Sequence, residues 1–266
     1  MAAFRANGIV TLTTDFGLRE PFVGIMKGVM LAHAAQLRFI DMAHDVSAFQ
    51  PVEAGFWLAG ALRYFPAGTL HMAVVDPGVG TARRPILVEA GEHYFIGPDN
   101  GVLCMVYLRE KAKVRLISNE RLYRRPVSNT FHGRDIFAPV AAHVAAGMSP
   151  SLAGDQIDNY LKPDFTKPHR AGKRTWIGQI LKIDHFGNII TNFHVDDYGD
   201  LALRNFQLEL GPVTVTALAQ NYATRPAGEL FAIRGSSGYY EVSLSQGSAA
   251  AQVKCEAGAA IELLVW

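Results

Sequence analysis

The first half of the sequence alternates short apolar runs with segments of helical periodicity. β-Strands are predicted at residues 9–14, 37–42, 69–76, 85–90 and 93–97, and helices at residues 21–33, 51–64, about 101–109 and 135–147. Two of these helices open with a proline, whose missing N–H costs nothing in the first turn. Strands that are apolar throughout and separated by helices indicate βαβ units, so we expect a mostly parallel sheet with both faces covered.

The pattern changes after residue 147. Residues 148–173 are rich in Pro, Gly, Asp and Lys, which is typical of an interdomain linker. Beyond them, short β-type runs follow one another without a convincing helical period, which predicts an antiparallel barrel or sandwich. The expected fold class is therefore α/β, with a mostly parallel α/β domain over residues 1–160 followed by an all-β barrel or sandwich domain over residues 172–266.

Composition narrows the range of partners. The 266 residues have a formal net charge of +1, so the basic excess that nucleic acid or an anionic membrane requires is lacking. The apolar runs are too short to cross a bilayer, and the opening MAAFRANG lacks the apolar centre of a signal peptide. Cys104 and Cys255 stand far apart without a CxxC neighbour, which predicts neither a disulfide framework nor a thiolate metal site. We expect a cytoplasmic protein with a small-molecule partner, without nucleic acid or membrane partners.

Carboxylates follow three of the predicted strands. Asp15 follows the first strand, Asp41 or Asp45 follows the second, and Asp76 closes the third. Ligands of open parallel sheets bind outside the carboxyl ends of the strands, so these positions are candidates for a site. A single Asp at a strand end is, however, more often a turn former or a helix cap.

The loop VVDPGVGTARRP distinguishes Asp76 from the other two. Gly78 and Gly80 let backbone N–H groups approach a ligand, and either Arg83 or Arg84 can return to pair with the carboxylate.

A histidine precedes the last predicted helix of the first half. In TFHGRDIFAP, His132 stands next to a glycine just before that helix, where it is either a structural cap or a functional group. Helix N-termini at the carboxyl edge of a sheet converge on the crevice that the strand-end loops line. The functional interpretation therefore places His132 near the loop that carries Asp76.

Two turns of the second half carry candidate binding groups. KIDHFGNIITNF places Asp184, Phe186 and Asn188 around a turn between strands, where an Asn side chain could read a purine edge and a Phe ring could stack. The alternative is an ordinary hairpin turn. The Gly/Ser loop 235–238, in RGSSGYYEVSLSQGSAA, could hold a carboxylate or a base edge through its N–H and hydroxyl groups.

Taken together, TTDFG, VVDPGVGTxR, GPDNG, FHGRDIFAP, DHFGN and GSSGYYEVSLSQGSAA resemble, in order and over nearly the whole chain, the S-adenosyl-L-methionine (SAM) hydroxide adenosyltransferases. These enzymes are hydrolytic relatives of the fluorinase and the chlorinase. The resemblance implies an N-terminal α/β domain, a C-terminal β-barrel, and a homotrimer with active sites between subunits. It implies SAM as substrate, with adenosine and L-methionine as products.

The resemblance also implies roles for individual residues. The catalytic Asp, Arg and His of the family fall on Asp76, Arg83 and His132, and the family's spacing favours Arg83 over its neighbour. Asp15 matches the carboxylate that holds the ribose hydroxyls. Phe49 lies where the halogenases have a Trp against the ligand.

In the second half, the resemblance implies that three residues receive methionine and adenine, namely Asp184, Phe186 and Asn188. It matches Ser236 or Ser237 to the loop that closes the site, without choosing between them.

The implied chemistry is attack by water at C5′. Expulsion of a neutral thioether needs no general acid, so the three catalytic groups would serve to activate a water. The related halogenases have a tyrosine at the position of Asp76, where a carboxylate would repel a halide. We expect no cofactor and no metal.

Three alternatives stay open at this point: a halogenase, a nucleoside-binding protein without turnover, and a metal-dependent phosphoesterase that would use Asp15, Asp76, His132 and Asp135.

Overall fold

The computed structural model describes residues 4–162, 167–199 and 201–266. The chain divides into two compact units, Met1–Pro163 and Asp164–Trp266. In the described parts of the chain, every helix falls short of the length and hydropathy that a bilayer-spanning segment needs.

Within residues 4–162, seven strands form one sheet in the order β2-β1-β3-β5-β4-β6-β7. The strands are β1 (Ile9–Thr14), β2 (Arg38–Ala43), β3 (Leu70–Val74), β4 (Pro85–Ala90), β5 (His93–Pro98), β6 (Lys113–Leu116) and β7 (Gln156–Ile157). The helices are α1 (Phe22–His33), α2 (Pro51–Ala61), α3 (Cys104–Arg109) and α4 (Ala138–Ala145).

The α/β class is confirmed, but the sheet is mixed. Strands β2, β1, β3 and β5 run parallel, whereas β4, β6 and β7 add antiparallel pairs. The change of direction starts at the hairpin between β4 and β5, where Gly91 has φ +53° and Glu92 has φ +63°. Two successive residues with positive φ form the tight connection that favours antiparallel strands.

The expected cover on both faces of this sheet is present. Residues Leu70, Met72 and Val74 of β3 pack in a buried cluster with Met26 and Met30 of α1 and with residues of α4. Ala73 and Val75 point to the opposite cluster, which α2 and α3 complete. Each fully buried Leu or Met side chain contributes roughly 1.5–3 kcal/mol to folding, so the two clusters hold the strand ends firmly.

The register of β1 and β3 aligns their carboxyl ends, because Thr14 pairs with Val74 in the parallel ladder. Asp15 and Asp76 therefore leave the sheet at the same edge, as the strand-end rule predicts.

Part of the stretch expected to be a linker belongs to the first unit. Strand β7 pairs with β6 at the edge of the sheet, and the backbone N–H of Leu161 donates to Asp99 at 2.9 Å. The composition indicated a linker because this edge segment holds few apolar residues. Residues 163–166, also within the predicted linker, lie outside the described residues.

The second unit is a strand-rich curled sheet, half of a barrel, in agreement with the all-β prediction. Within residues 167–199 and 201–266, nine strands follow the path β12-β11-β16-β9-β10-β15-β14-β13, with β8 paired to β9. The strands are β8 (His169–Arg170), β9 (Thr175–Ile183), β10 (Ile189–His194), β11 (Phe206–Leu210), β12 (Val213–Val215), β13 (Leu218–Ala219), β14 (Leu230–Arg234), β15 (Tyr239–Leu244) and β16 (Ala260–Val265).

Two short helices, α5 (Val195–Tyr198) and α6 (Ala249–Val253), were not predicted in this unit. Each is little more than one turn long, which is too short to show a period in the sequence.

Candidate active site

The loop after β3 folds back so that Asp76 and Arg83 form an ion pair. The Nε of Arg83 donates to Oδ1 of Asp76 at 2.8 Å and to Oδ2 at 2.9 Å, and its Nη2 also donates to Oδ2. The side chains of Asp76 and Arg83 are only 5% and 9% exposed. Within the loop, the N–H of Val79 donates to Asp76 O and the N–H of Thr81 donates to Gly78 O. These two consecutive turns are what bring residue 83 back to residue 76.

Gly80 lets this loop lie against the segment that leads to His132. It has φ +77°, and a Cβ built on it would lie 2.1 Å from the carbonyl oxygen of Asn129. Any side chain at position 80 would therefore push the two loops apart, and its backbone conformation would be strained as well.

His132 completes a hydrogen-bonded trio. It immediately precedes a π-helical turn, Gly133–Phe137, that leads into α4. The Nη2 of Arg83 lies 2.9 Å from Nδ1 of His132. A guanidinium only donates, so Nδ1 accepts and the single proton of the neutral ring lies on Nε2.

The surroundings of His132 keep the imidazole neutral. Burial and the positive Arg83 lower the pKa of His132 below 6.5, and the opposing influence of Asp76 and Asp135 is smaller. The trio is therefore one carboxylate, one guanidinium and one neutral imidazole near pH 7.

One nitrogen of Arg83 is buried and unpaired. Among the described residues, its Nη1 has no hydrogen-bond partner. The guanidinium carbon lies 5.1 Å from the ring centroid of Phe137, so the aromatic ring supports the flat side of the cation. A buried donor without a partner is costly, and it is suited to donate to a small oxygen species beside the trio.

Asp135 anchors the segment that carries His132. Its fully buried carboxylate accepts from Nε and Nη2 of Arg134 at 2.7 Å each, from Arg124 at 3.2 Å and from the Ser128 N–H at 2.9 Å. Burial alone would raise the pKa of Asp135, but these donors outweigh it and lower the pKa. A carboxylate enclosed by two arginines is poorly placed to serve as a metal ligand, as the phosphoesterase alternative would require.

Asp15 and Phe49 meet at the same edge of the sheet. The Oδ2 of Asp15 accepts the N–H of Phe49 at 3.3 Å. Phe49 has φ +65°, which a non-glycine residue rarely adopts, and its side chain is 70% exposed. Asp41 has a different role, because it pairs with Lys27 at 2.7 Å and with His44 at 3.0 Å.

Three aromatic residues that the sequence analysis did not single out lie between these loops. Phe16 follows Asp15 and Phe131 precedes His132, and their ring centroids are 6.0 Å apart. Phe22 completes the group at 5.3 Å from Phe131 and 5.8 Å from Phe16. The sequence signal that points to Phe16 and Phe131 is their position directly beside the candidate residues Asp15 and His132.

The two arginines of the loop have separate partners. Arg83 contacts Asp76, whereas Arg84 donates to Asp99 from Nε at 3.1 Å and from Nη2 at 2.6 Å.

In the second unit, Asp184 and Asn188 close a hairpin turn between β9 and β10. The Oδ1 of Asp184 accepts the N–H groups of Phe186 and Asn188 at 2.9 Å each, and its Oδ2 accepts from Nδ2 of Asn188 at 2.8 Å. The ring of Phe186 is 75% exposed. The side chains of this turn therefore stabilise the turn itself and present an exposed aromatic ring.

The Gly/Ser loop is the tight turn between β14 and β15. Ser236 is exposed, and the Oγ of Ser237 is buried without a hydrogen-bond partner in the described part of the chain. Behind this turn lies Glu241, a buried acid that the sequence analysis missed. A Cβ on Gly235 would lie 1.8 Å from Oε1 of Glu241.

Glu241 is held in an environment that disfavours its charge. The hydroxyl of Tyr222 donates to Oε2 of Glu241 at 3.2 Å. Burial raises the pKa of Glu241 and the nearby Asp184 adds to the effect, while the Tyr222 hydrogen bond opposes it. Burial and Glu241 together raise the pKa of Tyr222 to about 12.

The described residues contain no group of three or more His, Cys, Asp or Glu side chains arranged to hold a metal ion.

Comparisons with known proteins agree with the division of the chain into two units. The profile of the SAM hydroxide adenosyltransferase N-terminal domain matches residues 10–154, and that of the C-terminal domain matches residues 178–262. An (R)-S-adenosyl-L-methionine hydrolase of Thermus thermophilus is 32% identical over 96% of this chain and 99% of the relative. One of Methanocaldococcus jannaschii is 36% identical over 71% of this chain and 68% of the relative.

More distant relatives include a fluorinase of an Actinoplanes species, 27% identical over 72% of this chain and 73% of the relative. Among solved structures, an uncharacterized conserved protein of Thermotoga maritima is similar with a TM-score of 0.85 and 32% identity, over 96% of this chain and 99% of that chain.

Proposed function

This chain belongs to the SAM hydroxide adenosyltransferase family, and on that premise we propose that it hydrolyses SAM to adenosine and L-methionine, with Asp76, Arg83 and His132 as the catalytic residues. The observation that carries the assignment of residues is the trio itself, in which a buried carboxylate–guanidinium pair contacts a half-buried imidazole and keeps one guanidinium donor without a partner among the described residues.

The reaction needs a nucleophile more than it needs an acid. The water oxygen bonds to C5′ of SAM, the bond from C5′ to sulfur breaks, and its electron pair leaves on the neutral thioether of methionine. Because that leaving group takes no proton, the only proton to be moved is the one that the water loses.

Arg83 stabilises the water as it becomes hydroxide-like. Its buried Nη1 is available to donate to the oxygen, and the positive charge favours the anionic form. Its other bonds, to Asp76 and His132, fix the guanidinium so that no reorganisation is needed during the reaction.

Asp76 is the proton acceptor in this scheme. Arg83 has no lone pair to offer, and Nδ1 of His132 already accepts from Arg83 while Nε2 carries the proton. A carboxylate has about four acceptor positions, so Asp76 can take a further hydrogen bond beside those from Arg83. His132 acts by donating from Nε2 and by holding Arg83.

Asp15 and Phe49 serve the substrate at the same sheet edge. A carboxylate that accepts two hydrogen bonds suits the two ribose hydroxyls, and the exposed ring of Phe49 offers an apolar face. In the second unit, the family resemblance assigns Asp184, Phe186 and Asn188 to methionine and adenine. It assigns the turn with Ser236 and Ser237 to the loop that closes the site.

Asp76 also favours water over halide. A halide about 4 Å from a carboxylate is repelled by about 4 kcal/mol at an effective dielectric of 20, partly offset by Arg83. Water suffers no such repulsion and can give its proton to the same carboxylate.

Incubation of the purified protein with SAM in ¹⁸O-water, with and without chloride or fluoride, tests this choice. We expect ¹⁸O in the 5′-hydroxyl of adenosine and no 5′-halo product. A halogenated nucleoside as main product would replace the hydrolase assignment, and intact SAM beside tightly bound adenosine would indicate binding alone. The scheme requires no cofactor or metal, so a chelator should leave the rate unchanged, and a loss restored by a divalent ion would contradict it.

We also propose a cytoplasmic homotrimer with active sites completed between subunits. Several large apolar side chains on and before α1 are exposed, namely Leu18, Phe22, Ile25 and Leu31, which supports self-association. The free Cys104 and Cys255 suit a reducing compartment. Sedimentation of the active enzyme should give three copies, and an active monomer would contradict the shared site.

A further inference from the structure

The segment GPDNG (97–101), in which β5 ends, bonds to both ends of the catalytic loop. Asn100 donates from Nδ2 to the carbonyl oxygen of Val75 at 2.8 Å, directly before Asp76. Asp99 donates its N–H to the carbonyl oxygen of Arg84 at 2.8 Å and accepts from the guanidinium of Arg84, directly after Arg83. Two consecutive residues thus hold the start and the end of the loop that carries the ion pair.

The strand order explains why this segment is so placed. Strand β5 lies between β3 and β4, so the chain that leaves β3 must cross the end of β5 to reach β4. Residues just past the end of β5 therefore lie under the crossing loop, with β3 on one side and β4 on the other.

We propose that Asp99 and Asn100 are positioning residues of the hydrolytic reaction, which fix both ends of the loop 75–84 and thereby set the geometry of Asp76 and Arg83. The inference rests on the proposed function and adds to it two residues that do not contact the trio in the structure described here.

Asp99 and Asn100 are themselves held by further hydrogen bonds to neighbouring segments. The side chain of Asp99 is 5% exposed, and its Oδ1 accepts the N–H of Leu161 at 2.9 Å. Arg84 also donates to Oδ1 of Asn159 at 2.9 Å and to the carbonyl oxygen of Asn159 at 2.7 Å. Asn100 also accepts the N–H of Val102 at 3.2 Å. The ends of the catalytic loop are therefore tied to the edge segment near β7 and to the start of α3.

The variant Asn100→Asp tests the bond at the start of the loop. It keeps an oxygen for the N–H of Val102 and replaces the donor to Val75 by an acceptor. It also adds a negative charge, which the control variant adds as well. Since a misplacement of about 1 Å can cost about 100-fold in rate, we expect kcat to fall about 10- to 100-fold while KM changes less than threefold.

Asn119→Asp is a matched control. Asn119 donates from Nδ2 to Leu152 O at 2.8 Å and accepts the N–H of Arg121 at 3.2 Å, so the substitution removes an equivalent bond away from the catalytic loop. Its kcat should stay within about twofold of the wild type, since no catalytic placement depends on it.

A double-mutant cycle separates positioning from general damage. If Asn100 acts through the ion pair, the Asn100→Asp substitution should cost much less in an Asp76→Asn background than in the wild type. Full additivity, an unchanged kcat in Asn100→Asp, or an equal loss in Asn119→Asp would overturn the proposal.

A second readout does not depend on turnover. Solvent exchange of the Arg83 Nε–H, followed by NMR and assigned with Arg83→Lys, should be at least tenfold faster in Asn100→Asp and unchanged in Asn119→Asp. Wild-type protein that releases no adenosine would end the proposed function, and the exchange comparison would still decide whether Asn100 positions Arg83. Equal exchange in the wild type and Asn100→Asp would end the positioning proposal.

Discussion

The catalytic loops of the first unit and the candidate turns of the second unit use the same kinds of polar side chain in opposite ways. In the first unit, Arg83 reaches Asp76 seven residues away and His132 forty-nine residues away. In the second, Asp184 bonds to Asn188 only four residues on, within its own turn. The bonds of Arg83 leave its buried Nη1 without a partner among the described residues, whereas the bonds within the Asp184 turn satisfy that turn. The comparison predicts that the residues of the first unit act in the chemical step and that those of the second unit act in recognition of the substrate.

The largest effect is expected from a substitution in the loop of the first unit that carries Asp76 and Arg83. Asp76→Asn removes the proposed proton acceptor, so kcat for adenosine release should fall about 10³-fold, within the range typical of general base loss. Stability should also fall by a few kcal/mol, because the buried Arg83 loses its counter-charge. Calorimetry should still detect SAM binding, and turnover at the wild-type rate would remove Asp76 from the mechanism.

His132→Gln should cost about 10²-fold in kcat and should also change the pH profile. In the wild type, the pKa of His132 lies below 6.5, so the ring is neutral above that pH and protonates as the pH falls further. Protonation at Nδ1 would break the bond from Arg83, and kcat should therefore decline on the acid side. Profiles between pH 4 and 8 check this, and an identical acid limb in the variant would assign that limb to another group.

Phe186→Ala tests the role of the second unit in recognition. The ring of Phe186 is exposed and takes no part in holding the turn. Loss of a stacking face should raise KM roughly tenfold and leave kcat nearly constant, within the 1–3 kcal/mol of a base stack. Leu203→Ala, at another exposed apolar residue of the same unit, is the control and should change neither constant. A fall in kcat without a change in KM would contradict a role in recognition.

The smallest effect is expected from Glu241→Gln behind the Gly/Ser turn. The folded-state pKa of Glu241 lies above 4.5, so its contribution to stability is lost as the pH rises through that pKa and the buried acid ionises. The amide avoids this loss and can still accept from Tyr222. We expect Tm to be about 2–4 °C higher than in the wild type at pH 8 and equal at pH 4. A lower Tm at pH 8 would indicate that the charged form is stabilised.

The sequence predicts the candidate site residues of the first unit better than those of the second unit. Aligned strand ends predict that Asp15 and Asp76 share one edge, and the structure agrees. The residues of the loop alone do not decide whether Arg83 or Arg84 pairs with Asp76. The choice depends on Asp99, which lies further along the chain and accepts from Arg84. The mostly parallel pattern does not show where the antiparallel pairs begin, because that point depends on the two-residue hairpin of Gly91 and Glu92.

In the second unit, local patterns could not reveal Glu241. It lies in YYEVSL, where neighbouring residues of β15 are buried on both faces, so alternation gives no sign that a charged side chain points inward. The sequence does not reveal the group of Phe16, Phe22 and Phe131 for a related reason. Aromatic residues near a strand end or a helix start are common, and only the distances between the three rings identify them as a group.

The wide helical turn Gly133–Phe137 contains one residue more than an α-helical turn would at the same place. Such a turn absorbs an extra residue locally, so the chain on either side of it keeps its direction. Deletion of one residue there would therefore restore an ordinary helix while α4 kept its packing. The side chains inside the turn would point in new directions, and Asp135, which anchors the segment that carries His132, is one of them. A change of one residue in chain length would thus act on His132 through Asp135, in a protein that still folds.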